Sequence, residues 1–410
     1  MASSGASRRL QFSNFKLDTI LDITRAINEN LATKMLLDKY KRILKEQLKI
    51  NKILLFNYST KWEVMISSGF PESVIKTINI EKDFENIFEI TTATSTKVES
   101  LQAFDVIIPV FHNTRPFAYV LIGSIDEEGE EGVSPTIKHL PFVQTITNII
   151  LVAIENKRLY SESLKQEALK KELELASKMQ ALLIPDTNLA PRDKDVFIDA
   201  YYLSHFVVGG DYYDFWELSD DEIGFCIADV SGKGISGAII MSNLQANLRA
   251  LFNLKTPLKE IVTRLNRIVM QNTNGDKFIT MFIAKYNKAT KQLNYVNAGH
   301  NPPIYYKLKS KITGMLTEGT TGLAMLDELP FINEGELIIT EPTRLLCFTD
   351  GLAEIMNDNK EEIGLKAIFS GITKVDRIDK LISGLISELK ISRDNPHVFD
   401  DVTMLGVEFF

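Results

Sequence analysis

GFCIADVSGKGISGA, residues 224–238, decides the fold of the C-terminal half. An apolar, β-rich run ends on Asp229, a Ser-Gly-Lys-Gly turn follows, and small residues open a helix. Three other stretches deliver aspartates in the same way. They are VVGGDYYDFW (207–216, with Asp211 and Asp214), RLLCFTDGLAEI (344–355, Asp350) and FDDVTMLGVEF (399–409, Asp400 and Asp401). Taken singly, Asp350-Gly351 reads as a hairpin turn, Gly209-Gly210-Asp211 as a tight turn and Asp400-Asp401 as a solvated strand entry. Recurring in order over about 190 residues, they predict carboxylates converging on one edge of a sheet. Such a cluster repels itself unless cations lie between its members, and hard divalent ions such as Mg²⁺ or Mn²⁺ take these oxygen ligands.

Working outward, strands are expected at 195–203, 212–218, 222–229, 278–286, 292–298, 303–308, 343–349 and 402–409. Helices are expected at 234–253, 257–272, 361–371 and 375–390. Consecutive strands joined by hairpin-length turns, with helices in pairs, predict an α+β domain of two antiparallel sheets packed together and flanked by helices. Gly232-Lys233-Gly234 invites a phosphate-loop reading, but a Walker A loop needs glycine where this chain has Ile227. Gly234, Ser236, Gly237 and Ala238 instead suit close packing of a helix beside the cluster.

With 410 residues the chain exceeds one ordinary core, so two domains are expected. Hydrophobic content of 45% and charged content of 24% are those of a soluble globular protein. A net charge of −8 argues against nucleic-acid binding. The longest apolar run, TNIILVAIEN (147–156), is too short for a membrane span, and MASSGASRRL lacks the apolar core of a signal peptide. Both cysteines, Cys226 and Cys347, lie inside strand-like runs and read as buried structural thiols, which suits a reducing cytoplasm.

In the N-terminal half a disordered tail is expected over 1–14, and helical spacing runs through 15–50 (Leu17, Ile20, Leu21, Ile27, Leu31). Strands follow at KILLFNY, KWEVMISS, DVIIPVF and FAYVLIGS, while 68–102 and 126–136 read as loops, the second acidic (DEEGEEG). His112 and His139 read as surface residues rather than haem ligands. From Ile146 to Leu183 no Gly or Pro occurs, and Ile149, Ala153, Tyr160, Leu164, Ala168, Leu175, Met179 and Leu182 form an apolar stripe. A helix of that length, about 55 Å, outruns a single small domain, which favours a coiled coil between two protomers.

Two family resemblances emerge from these residues. Over 15–157 the entering helix, the hairpin ILLFNY/WEVMISSG and the IPV…VLIGS strand pair resemble the GAF family of small-molecule sensor domains, some of which serve only for dimerisation. Over about 178–410, VGGDYYDF, IADVSGKGISGA, YVNAGHNPP, CFTDGLAE and DDVT resemble the PPM-type metal-dependent protein serine/threonine phosphatases, in the branch named after the sporulation stage II phosphatase. MQALLIP (179–185) is similar to the linker end of stress-response phosphatases of that branch. The implied organisation is a sensor domain at 15–157, a linker helix at 146–184 and a phosphatase domain at 185–410.

The resemblance implies that Asp229 bridges two Mn²⁺ or Mg²⁺ ions, that the Val230 carbonyl ligates one of them, and that Asp350 and Asp400 complete the site. Asp211 would hold or orient a water, with Asp214 a weaker candidate beside it, and Asp401 takes a position often held by Asn. Two such ions acidify a water that attacks phosphorus in line. Many family members carry a histidine where this chain has Ser231, so protonation of the leaving group falls to a water. His300 reads equally as a turn histidine or a substrate contact. In this branch the helix pair at 234–272 is associated with switching the metal site, and the typical substrate is a phosphorylated STAS-type anti-anti-sigma protein. A non-catalytic regulator on the same fold is the competing reading. The full set Asp229, Asp350 and Asp400 argues against it, because degenerate copies usually lose a member. A nucleotide phosphodiesterase or cyclase would need a base-recognition element, and none is recognisable.

Overall fold

A computed structural model describes residues 2–112, 115–123, 139–253 and 255–410. The acidic loop expected over 126–136 and the side chain of His112 lie outside what is described. The chain divides into two compact units, Met1–Glu167 and Ala168–Phe410, and the division falls inside one long helix.

The first unit runs α1 (Ala2–Asn28), α2 (Thr33–Arg42), β1 (Lys52–Tyr58), β2 (Trp62–Ser68), α3 (Glu72–Lys76), α4 (Ile80–Asp83), β3 (Thr91–Thr92), α5 (Ala93–Thr96), β4 (Val106–His112), β5 (Arg115–Gly123) and the start of α6 (Leu140–Ala181). Its five strands form an antiparallel sheet ordered β2-β1-β5-β4-β3. Alternation explains why Ile53 to Phe56 of KILLFNY are all apolar. Ile53 and Leu55 face a core shared with α1, α2 and α6, whereas Leu54 and Phe56 face a second core on the other side of the sheet. That second core corrects the reading of 68–102 as loop. Short helices and the turns after them contribute Phe84, Ile87, Ala93 and Leu101, each element too brief to show a period. The tail expected over 1–14 is also corrected, since α1 begins at Ala2. Phe12 packs on Phe15 and His139, and Phe15 on Phe142, so aromatic contacts extend the helix beyond its aliphatic period.

The second unit holds the end of α6 and then β6 (Val196–Leu203), β7 (Tyr212–Glu217), β8 (Glu222–Val230), α7 (Ile235–Leu251), α8 (Leu258–Thr273), β9 (Ile279–Asn287), β10 (Gln292–Ala298), β11 (Ile304–Lys307), β12 (Ile312–Met315), β13 (Gly319–Thr320), β14 (Gly335–Ile338), β15 (Thr343–Phe348), α9 (Asp350–Ala353), α10 (Gly364–Ile372), α11 (Ile378–Glu388) and β16 (Val402–Phe409). One sheet is ordered β13-β10-β9-β8-β7 with β14 on β10, the other β12-β11-β15-β16-β6. All pairings are antiparallel except β10 with β13. Three cores stack the layers helix, sheet, sheet, helix. Val196, Phe225, Phe282, Cys347 and Leu405 fill the space between the sheets. Cys226, Met241, Leu244 and Leu265 seat α7 and α8 on the first sheet, and Leu346, Ile368, Leu381 and Met404 seat α10 and α11 on the second. Both cysteines are buried free thiols. No helix among the described residues is long and apolar enough to cross a membrane.

Candidate metal centre and active site

Asp229 is the penultimate residue of β8, in register with Thr280 of β9. The turn after Val230 is bolted to the start of β9: the Ser231 N–H donates to the Phe278 carbonyl (2.9 Å), and the Phe278 N–H donates to Ser231 Oγ (2.8 Å). Gly232 (φ +96°) and Gly234 (φ +76°) occupy left-handed backbone that other residues resist. Close helix packing falls to Gly237, where a Cβ would lie 2.5 Å from the Gly232 carbonyl. Ser236 is exposed and takes no part.

From the second sheet, Asp350 opens the single turn α9 directly after β15, so it is the start of a helical turn and not of a hairpin. A Cβ on Gly351 would lie 2.0 Å from the Asp401 carbonyl, so only glycine lets this turn rest on the segment carrying Asp400 and Asp401. The strand ends thus bring Asp229, Val230, Asp350, Asp400 and Asp401 to one cleft of about 430 Å³, whose walls also include Gly210, Lys233, His300 and Glu354.

Five carboxylates and one ammonium line this cleft, and the imbalance shows in their proton affinities. Burial, with Asp350, Asp400 and Asp401 nearby, pushes the Asp229 carboxyl up to about 7 from an ordinary 3.8. Asp350 is raised by burial and by Asp400. Asp401 is raised by burial, against the pull of the His205 and Gly210 amides that donate to its two oxygens at 2.8 and 2.7 Å. Lys233 gives partial relief through its 2.8 Å ion pair with Asp400. Among the described residues no three Asp, Glu, His or Cys side chains stand close enough to enclose one ion. Asp400 instead pairs with Lys233. As a donor set, however, clustered carboxylate and carbonyl oxygens fit a hard divalent cation and no soft one.

Asp211 is brought to the same corner but does not line the cleft. It is buried, and its Oδ2 accepts from Thr349 Oγ1 (2.8 Å) and Thr403 Oγ1 (2.6 Å). Burial, then Asp229 and Asp401, hold it well above the usual carboxylate range. Asp214 is elsewhere, which corrects its reading as a neighbour of Asp211. Three positions along the chain is an odd step, and with Tyr212 it turns toward the helix layer. There it takes a bidentate pair from Arg249 of α7 (2.9 and 3.0 Å) and the Tyr212 hydroxyl. His300 reaches the cleft wall as a buried ring with its Nδ1 2.9 Å from Thr280 Oγ1. Burial pushes it down to about 4, with the Phe348 carbonyl only partly opposing, so at neutral pH it carries no charge.

Four partners escaped the sequence reading. Thr349 and Thr403 orient Asp211, and their signal was available, since each sits within the aspartate motifs TDG and DDVT. Lys233 pairs with Asp400, although Gly232-Lys233-Gly234 drew attention only as a phosphate loop. Gln180, in the last turn of α6, exchanges two hydrogen bonds with the backbone of Gly209; it lies inside MQALLIP, but that segment drew attention only as a linker end.

Residues 219–410 match the family model described as Stage II sporulation protein E. The phosphoserine phosphatase RsbU of Bacillus subtilis (strain 168) is 31% identical over 201 residues, covering 47% of this chain and 57% of that protein. The phosphoserine phosphatase RsbP of the same strain is 30% identical over 191 residues, covering 45% of this chain and 46% of that one. The chain therefore spans about half the length of the curated relatives it matches. Among solved structures, the SiaA-PP2C domain of Pseudomonas aeruginosa superposes with a TM-score of 0.51 at 18% identity, over 60% of this chain and 99% of that domain. This half of the chain has the PP2C-type fold and is homologous to the phosphoserine phosphatases RsbU and RsbP.

Proposed function

We propose that residues 185–410 are a divalent-metal-dependent protein serine/threonine phosphatase governed by the N-terminal unit. The observation that carries the reading is the meeting of Asp229, Asp350 and Asp400, from three separate strand ends, on one cleft with a large excess of negative charge. Asp229 offers both oxygens, the Val230 carbonyl, Asp350 and Asp400 complete the donor set, and Asp211 orients a water from behind. Two Mn²⁺ or Mg²⁺ ions held there would supply Lewis acidity and an acidified water for in-line attack on a phosphoserine or phosphothreonine. Uncharged at pH 7, His300 is too weak an acid to protonate a leaving alkoxide, and the Ser231 hydroxyl is weaker than an imidazolium, so a water would supply that proton. Homology to two phosphoserine phosphatases supports a phosphoprotein substrate, and the branch resemblance points to a STAS-type anti-anti-sigma protein in the cytoplasm.

The five-stranded sheet of the first unit, cored on both faces, supports a GAF-like sensor over 15–157. The helix at 146–184 would join two protomers in parallel. Every residue from Leu159 to Glu172 is exposed, and Leu175 (62%) and Leu182 (80%) leave the apolar stripe open for a second copy.

Phosphate release from a phosphoserine protein and from nucleotides, with Mn²⁺, Mg²⁺, Ca²⁺ or EDTA, tests the reading. Hydrolysis of the phosphoprotein alone, greater with the two smaller or tighter-binding ions than with Ca²⁺, is expected. Activity undiminished in EDTA overturns it.

A further inference from the structure

Between Leu151 and Gln180 no residue of α6 is fully buried, and the one that ends this exposure is polar. Gln180 is 7% exposed while its neighbours Met179 and Leu182 stand out at 62% and 80%. Its burial therefore follows its hydrogen bonds and not the hydrophobic effect. The Nε2 group donates to the Gly209 carbonyl at 2.6 Å, and Oε1 accepts from the Gly209 N–H at 3.0 Å. A primary amide carries a donor and an acceptor side by side, so it can both donate to the carbonyl and accept from the N–H of one residue in this way.

Gly209 has no slack. A Cβ there would lie 2.4 Å from Asp401 Oδ2 and 2.6 Å from the Tyr202 hydroxyl. The next residue, Gly210, sends its N–H to Asp401 Oδ2, and His205 at the far end of the loop sends its N–H to Asp401 Oδ1. Asp211 follows immediately. One helix side chain thus fixes the loop that fixes two carboxylates of the acidic cluster.

We infer that Gln180 is a positioning residue through which the last turn of α6 sets the affinity of the cleft for divalent cations. With Gln180 seated, loop 204–211 holds Asp401 and Asp211 where the metal donors need them. When α6 turns or withdraws, Gly209 loses both partners and the loop relaxes away from Asp401. The inference rests on the metal-centre reading above, and gives the linker helix a defined contact by which to act on it.

The test uses the full chain, with Mn²⁺ uptake followed by loss of the free-ion EPR signal and hydrolysis of p-nitrophenyl phosphate measured in parallel. Gln180→Leu removes both hydrogen bonds, and a midpoint for Mn²⁺ raised on the order of tenfold is expected for two such bonds. At saturating Mn²⁺ its kcat should return to within roughly threefold of wild type, since no cleft-lining group is touched. Gln180→Glu keeps acceptance from the Gly209 N–H but cannot donate, and should fall between the two. Unchanged Mn²⁺ uptake in Gln180→Leu, with wild type binding normally, overturns this inference alone. So does a Gln180→Leu that melts early while Gln180→Glu binds as wild type, because that marks a purely structural role. Absence of Mn²⁺ uptake by wild type overturns the metal-centre reading, and this inference with it.

Discussion

Replacing Asp229 by Asn removes the charge at the centre of the cluster while keeping its shape. In the metal-free protein the Asp229 carboxyl titrates near 7 when folded against 3.8 ordinarily. The folded state therefore binds the proton more tightly. The penalty for ionising Asp229 is absent below about pH 4, grows as pH rises between the two values, and is complete above about 7. At about 1.4 kcal/mol for each pH unit between them, the ceiling is on the order of 4 kcal/mol. Relaxation of a water-filled cleft returns part of this, leaving roughly 2–4 kcal/mol. For a unit of this size that corresponds to a rise of about 5–10 °C in the melting temperature of metal-free Asp229→Asn over wild type at pH 8. At pH 5 the gap should narrow to less than half, because only the first part of the step between 3.8 and about 7 has then been climbed. Added Mn²⁺ should reverse the order. Wild type gains about 2.7 kcal/mol at a hundredfold excess over Kd, and the variant, lacking the central ligand, gains little. Calorimetry at pH 5 and pH 8, with and without Mn²⁺, reads all four states, and phosphatase turnover of the variant should be nearly abolished. Equal melting temperatures at pH 8 without metal, or wild-type turnover in a folded variant, refute the reasoning.

Other substitutions separate structure from chemistry. Asp214→Asn should leave turnover within a few-fold of wild type, yet lower stability by roughly 1–3 kcal/mol by weakening the Arg249 and Tyr212 contacts under α7, as denaturant unfolding would show. Gly351→Ala should yield little folded protein, since the new methyl would meet the Asp401 carbonyl at 2.0 Å, and soluble expression with native circular dichroism would refute that. Leu175→Glu should put charge into the seam of the proposed coil, weaken dimerisation by a few kcal/mol and deregulate activity with the cleft untouched. Light scattering and phosphatase assays on one sample decide it, and a wild type that is monomeric at micromolar concentration refutes the coil.

What the sequence made legible follows from which signals are local. Strand-ending aspartates are local, and the cluster of Asp229, Asp350 and Asp400 assembles from strand ends as the apolar runs imply. The paired sheets are legible for the same reason, since most of their strands are continuous apolar runs between turn residues. Direction is harder than position. Asp211 and Asp214 look alike in VGGDYYDF, and what separates the carboxylate behind the cleft from the one held by Arg249 is the odd step between them, which turns the two side chains to opposite sides. Long-range partners are harder still. Arg344 and Glu408 are charged residues inside buried strands, and their ion pair, with Glu408 also accepting from the Ile378 N–H, ties β15 and β16 to α11 without any trace in spacing. Gln180 is the sharpest case. MQALLIP marks its segment but not its contact, because its role is defined by a glycine 29 residues away. The carboxylates that could hold metal are written in the motifs, whereas the contacts that could make their affinity adjustable are formed between segments and appear only once the chain is folded.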